Sequence, residues 1–206
     1  MSAAPQDLYL ALMKSIRERL DFVETLASAS GDSFARAETA AFHGRKVVEG
    51  IAFACLVATH HGLKHVPRDA KGKWNAEEIL RGLQKKNLQV FPSPSLIRFP
   101  LAEEQAFSNV TATIEGIPEC RLTHDELIGM YQRLHRWLHE VNPYVTAGRD
   151  EFYASHGAKL WDELRALDRF IEQHFISIQG HAFFCVLRDK LDGQTKVASL
   201  SRSADA

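Results

Sequence analysis

Apolar residues return every three or four positions through most of this chain, and the breaks in that rhythm coincide with its glycines and prolines. Leu8, Leu12, Ile16, Leu20 and Val23 fall at helical spacing with Arg17, Glu18, Arg19 and Glu24 between them, which predicts an amphipathic helix over 7–28. Ser30, Gly31 and Asp32 end it. A second helix over 34–61 is apolar on nearly every side between Val47 and Ala58, the pattern of a central helix, and Gly62 is its expected C-cap. Residues 65–73 read as loop. Asn75 with Glu78 three positions on predicts a capped helix to about 86, stopped by Phe91, Pro92 and Pro94.

The next region is poor in helix signals. Pro92, Pro94, Pro100 and Pro118 argue against helix, while 110–115 alternates in the manner of a short strand, so 64–122 reads as an insertion between helices. Thr123 with Glu126 forms a capping box that opens a helix running to about 141, with Asn142 and Pro143 as its stop. Tyr153, Leu160, Leu164, Leu167, Ile171, His174 and Ile178 then make a long stripe that predicts one helix through 178. Beyond Gly180 the period shortens. Segments 182–188 and 195–200, joined around Asp192 and Gly193, predict a β-hairpin within 181–201 that pairs with the 110–115 strand or packs on the helices. The expected fold is mainly α: an up-down helical bundle in one domain over 1–206, with the insertion and a β-hairpin or three-stranded β element.

Composition changes this picture little. A chain of 206 residues with 45% hydrophobic and 25% charged residues buries enough surface to fold without staples. Its formal net charge of -1 gives no global attraction to nucleic acid or anionic membrane, so an RNA contact would need a local patch. One basic stretch runs from Lys64 to Lys86 and also reads as a solvated face. Cys55, Cys120 and Cys185 show no disulfide or zinc spacing, the first residues lack a signal-peptide pattern, and the longest apolar run, 51–58, is too short for a bilayer. The expected setting is the cytoplasm, with no membrane partner, no metal and no cofactor.

The densest polar chemistry lies over 131–143. His135 and His139 are four apart and share a helix face, with Tyr131 and Asn142 close to the same stripe. An imidazole with an unperturbed pKa of about 6.5 can take and give a proton near neutrality, as RNA transesterification requires. The guanidinium groups of Arg133 and Arg136 can hold a phosphate through paired hydrogen bonds. The same residues also suit a plain helix terminus, because cations there complement the macrodipole. Arg45 and Glu49 lie four apart in the least polar helix, where Glu49 needs a partner such as Arg45, Arg136 or His139. His124 and Asp125 fall inside the capping box, which accounts for them.

Arg45-Lys46 with Glu49, Trp74-Asn75-Ala76 with Ile79-Leu80, Phe91-Pro92 with Pro94, and Tyr131 and Leu134 with Leu138-His139 and Asn142-Pro143 resemble a family of uncharacterised bacterial helical proteins over about 40–145. The helical layout and the spacing from Arg133 to His139 are similar to the HEPN superfamily, whose motif is an Arg followed after four to six residues by His. That likeness implies RNA or nucleotide binding, with Arg133 as phosphate contact and His139 as proton-transfer group in a homodimer. It would extend to metal-independent ribonuclease activity, with Arg136 and His135 beside that pair and Glu49, Arg45, Tyr131 and Asn142 in support. Leu134 stands where a polar residue is common in that motif. The rival expectation is a non-catalytic helical interaction or dimerisation module.

Overall fold

A computed structural model describes residues 3–31, 33–67, 70, 72–88, 90–99, 112–140, 142, 144 and 148–201. Among these the protein is mainly helical, with one five-stranded antiparallel sheet. Helices α1 (Pro5–Ser28) and α2 (Phe34–Leu63) pack against each other along their length, α1 through a buried stripe of Tyr9, Met13, Ile16, Leu20 and Val23. At its start this stripe is one position round from the Leu8 and Leu12 ladder expected from the sequence, and Leu8 faces outward. The Tyr9 ladder wins because the hydroxyl has a buried partner: Tyr9 Oη donates to His174 Nε2 at 2.7 Å.

Helix α2 is central, and its small residues let neighbours approach closely. A Cβ on Gly44 would stand 2.3 Å from Leu164, and one on Gly50 would stand 2.9 Å from Ile16. The helix passes through Gly62 and is capped instead by Lys64 in the left-handed region, with φ 61°, its N–H donating to the His60 carbonyl. Gly62 serves packing: the end of the strand at Ile178 lies against it, leaving no room for a side chain.

Helix α3 (Ala76–Lys85) begins as its sequence predicts, with Asn75 Oδ1 accepting from Glu77 N at 2.9 Å and Glu78 N at 3.3 Å. Asn75→Ala is expected to cost about 1 kcal/mol of stability. Urea unfolding curves of the two proteins measure this; coincident midpoints would show that the cap contributes nothing. The basic stretch around α3 is partly neutralised, since Lys73 pairs with Glu78 and Arg81 with Glu77.

The sheet is larger than the hairpin or three-stranded element expected. Its order is β2-β1-β3-β4-β5, with β1 Ser93–Arg98, β2 Thr113–Gly116, β3 Gln173–Ile178, β4 His181–Val186 and β5 Lys196–Ser201. Strand β1 lies in the proline-rich region and was not legible as a strand. Pro94 is tolerated because β1 changes partner there: Ser93 and Pro94 face β3, while Ser95 to Arg98 pair with β2. The Pro94 carbonyl accepts from Ile117 N at 2.8 Å. The 110–115 expectation survives as β2, with positions 110 and 111 outside the described residues, but β2 is separated from the hairpin by β1 and β3. A 3-10 turn at Pro118–Cys120 leads out of the β2 region.

The capping box at Thr123 is present in full and opens α4 (His124–Arg136). This helix ends about five residues before the expected point. Its final turn tightens to three-residue bonding, Trp137 N to Leu134 O and Leu138 N to His135 O, as Trp137 turns into an aromatic cluster with Phe34 and Phe152. Position 141, the predicted helix end, and position 143 of the predicted stop lie outside the described residues.

Helix α5 (Arg149–Glu172) carries the long stripe only as far as Ile171. The expected continuation through 178 is instead β3, where His174 and Ile176 are buried in alternation. The spacing of Ile171, His174 and Ile178 fits a helix, but strands on both sides make the extended form the better-paired one. A two-residue turn at Gln179 and Gly180, both with positive φ, joins β3 to β4. The predicted pairing of the last two segments holds, with His181 opposite Ser201 and Val186 opposite Lys196. Arg188 ties α1, α5 and the sheet by reaching Asp21, Asp168 and Glu172.

Candidate functional site

The sequence places Arg45, Lys46 and Glu49 on one face of α2, and α4 lays Tyr131 across them. Glu49 is mostly buried and fully engaged: Lys46 Nζ donates to Oε2 at 2.6 Å, Arg45 Nε lies 3.3 Å from Oε1, and Tyr131 Oη donates to Oε1 at 3.2 Å. Arg45 Nη2 also donates to Tyr131 Oη at 2.5 Å, and its guanidinium carbon stands 4.1 Å from the centre of the Tyr131 ring. Burial, and then the Glu49 carboxylate, raise the phenol above its ordinary range. One carboxylate between two cations leaves the cluster net positive.

One turn further along α4, His135 continues the stripe. Its Nε2 lies 3.0 Å from Nε2 of His139, so one ring donates and the other accepts, and the accepting ring is neutral. Burial, then the Arg45 charge, then His139 lower the His135 pKa, which favours its neutral form at neutral pH. Both rings lie at the surface. The arrangement offers a donor, an acceptor and a nearby cation to a ligand at the end of α4.

The other predicted residues separate from this group. Arg133 turns to α5, where its Nε donates to Glu163 Oε1 at 2.5 Å. The structure thus brings His135, His139, Tyr131, Arg45 and Glu49 together and sends Arg133 elsewhere. Arg136 is exposed. Asn142 Oδ1 accepts from Tyr144 N at 2.9 Å in a local turn. Glu49 meets Arg45, as one expectation had it, and not Arg136 or His139. No family model matches the chain, and no curated protein or solved structure does either.

Lys46 and Glu163 belong to this region and were given no role from sequence. The lysine was visible as the neighbour of Arg45 at i,i+3 from Glu49, whereas Glu163 had no signal, because nothing local sets the rotation of α5 against α4. Gln132 adds a further link, donating to Glu77 Oε2 at 2.9 Å and so tying α4 to α3. Among the described residues no group of three or more His, Cys, Asp or Glu side chains is placed to hold a metal ion. Cys55, Cys120 and Cys185 are free thiols. No helix among the described residues is long and apolar enough to cross a membrane.

Proposed function

We infer that the protein binds RNA or a nucleotide through a phosphate at the end of α4, as a HEPN-like helical bundle of up-down topology that acts as a homodimer in the cytoplasm. The observation that carries this reading is the His135 and His139 pair, 3.0 Å apart at the surface, beside the net-positive Arg45, Lys46 and Glu49 cluster. Arg133 is engaged by Glu163, so the phosphate contact falls to Arg136. For a ribonuclease, His139 takes the proton from the ribose 2′-hydroxyl and that oxygen attacks the adjacent phosphorus. The bond to the 5′-oxygen breaks, and the departing oxygen takes up the proton that His139 received, leaving a 2′,3′-cyclic phosphate and a 5′-hydroxyl.

Incubation of end-labelled RNA with the purified protein in EDTA tests this. Binding and cleavage are expected in the wild type, with cleavage falling by about a hundredfold or more in His139→Ala and binding weakened in Arg136→Ala. Cleavage that persists in His139→Ala would remove the proposed role of that residue, and absence of any RNA or nucleotide binding would overturn the reading. The engagement of Arg133 by Glu163 favours a second reading, a non-catalytic interaction module, in which Arg133 locks two helices and RNA is left intact and unbound.

A further inference from the structure

The outer face of α2 extends the candidate site in both directions. Phe42 stands one turn before Arg45 and Lys46, and Phe53 one turn after Glu49, so positions 42, 46, 49 and 53 climb one face of the helix. At the first end the Phe42 ring is edge-on to His43, 5.4 Å between centroids, and His43 meets Phe22 of α1 at 4.7 Å. Arg19 reaches the same imidazole, with its Nη1 3.4 Å from Nδ1. At the other end Trp74, 80% exposed, stands edge-on to Phe53 at 6.4 Å, immediately before the Asn75 cap. Single exposed rings are ordinary on a protein surface. These rings flank a cationic centre on both sides, over about 16 Å of helix.

That interleaving is what a single nucleic acid strand requires: flat apolar faces for unstacked bases, and cations spaced between them for the backbone. A duplex keeps its bases stacked inside and has no use for the rings. We propose that the outer face of α2 is a track for single-stranded RNA, with bases stacking on Phe42 and Phe22 at one end and on Trp74 at the other, with Lys46 meeting a phosphate between and Arg19 one at the Phe42 end. The track rests on the phosphate-binding reading above and adds to it the preference for a single strand and the residues that grip it.

The test is anisotropy of a short fluorescein-labelled oligouridine titrated with the full chain, alongside uridine 5′-monophosphate and a duplex of equal length. Phe42→Ala and Trp74→Ala are each expected to weaken oligouridine binding about tenfold, with thermal melts unchanged because both side chains are exposed. Trp74 fluorescence is expected to be quenched by oligouridine, a signal absent from Trp74→Phe. Unchanged oligouridine affinity in both alanine variants, with loss in Arg136→Ala, would overturn the track and leave the phosphate site standing. So would binding of the monophosphate without oligouridine, or tighter binding of the duplex. A wild-type protein that binds none of the three removes both the track and the reading beneath it.

Discussion

Lowering the pH from 7 to 4 is expected to remove about 3 kcal/mol of folding stability through His174 alone. His174 is fully buried, its Nδ1 donating to the Ile171 carbonyl at 2.9 Å and its Nε2 accepting from Tyr9 at 2.7 Å. Both nitrogens are therefore satisfied by the neutral ring, and a second proton would face the Tyr9 hydroxyl with no acceptor beyond it. Burial lowers its pKa from 6.5 to about 4. The Tyr9 phenol and the neighbouring Cys55 and Cys185 thiols have their ionisation pushed upward, chiefly by burial, so none of these three offers an anion to a charged imidazole.

The sign follows from proton uptake. Between these two pKa values the unfolded chain binds a proton that the folded protein refuses, so the contribution is complete above pH 6.5 and is lost as pH falls through the window to 4. Urea unfolding at a series of pH values, in the wild type and in His174→Gln, measures it. The variant is expected to be less stable at pH 7 and to lack this segment of the pH slope. An identical slope in the two proteins would place the titration elsewhere.

Gly62→Val is expected to destabilise the protein by about 3 kcal/mol. A Cβ at this position would stand 2.3 Å from Ile178 Cγ2 and 2.8 Å from the Ile178 carbonyl oxygen, and the second of these is backbone that cannot rotate away. The strand end would have to shift, disturbing the two-residue turn at Gln179 and Gly180 that aligns β3 with β4. The effect has a discriminating form. If Gly62 were an ordinary helix residue with open space beside it, Gly62→Ala would gain up to about 1 kcal/mol from helix propensity. Thermal melts of both variants decide: loss in each supports the close approach to Ile178, and a gain in Gly62→Ala would refute it.

Gly62 also shows why part of the fold was hard to read. In the sequence it follows a helix-forming run and looks like the residue that ends it, and in the structure it is the residue that lets a distant strand come near. A helix end favours glycine and the close approach requires it, and the chain alone does not distinguish the two. The stripe through His174 and Ile178 misleads for a related reason. Positions 171, 174 and 178 satisfy helical spacing, yet 174 and 176 also satisfy strand alternation, and the choice depends on whether neighbouring strands are present. One of those neighbours, β1, was itself hidden by its prolines.

The candidate site divides in the same way. The i,i+4 relation of Arg45 to Glu49 is local helix geometry, and that pair meets as its spacing requires; His135 and His139 also meet, but through the tightened turn beyond the end of α4. Placing Tyr131 across the first pair depends on how α4 lies against α2, and the engagement of Arg133 by Glu163 depends on how α4 lies against α5. The spacing between Arg133 and His139 suggested a shared role, but the helix between them points the arginine toward a different neighbour.

By itself the sequence determined the features with a short-range cause. The helix starts at Asn75 and Thr123 follow from side chains reaching their own backbone, the buried length of α2 from unbroken apolar character, and the final hairpin from alternation around a glycine turn. Only the tertiary structure decided the features whose cause is a partner far along the chain. The sheet gained its fifth strand because β1 could offer hydrogen bonds to β3 and β2, Tyr9 and not Leu8 turned inward because His174 was there to accept its hydrogen bond, and Arg133 left the histidines for Glu163. A backbone group or charge taken from water must find a partner, and which partner it finds is settled by packing across the whole chain.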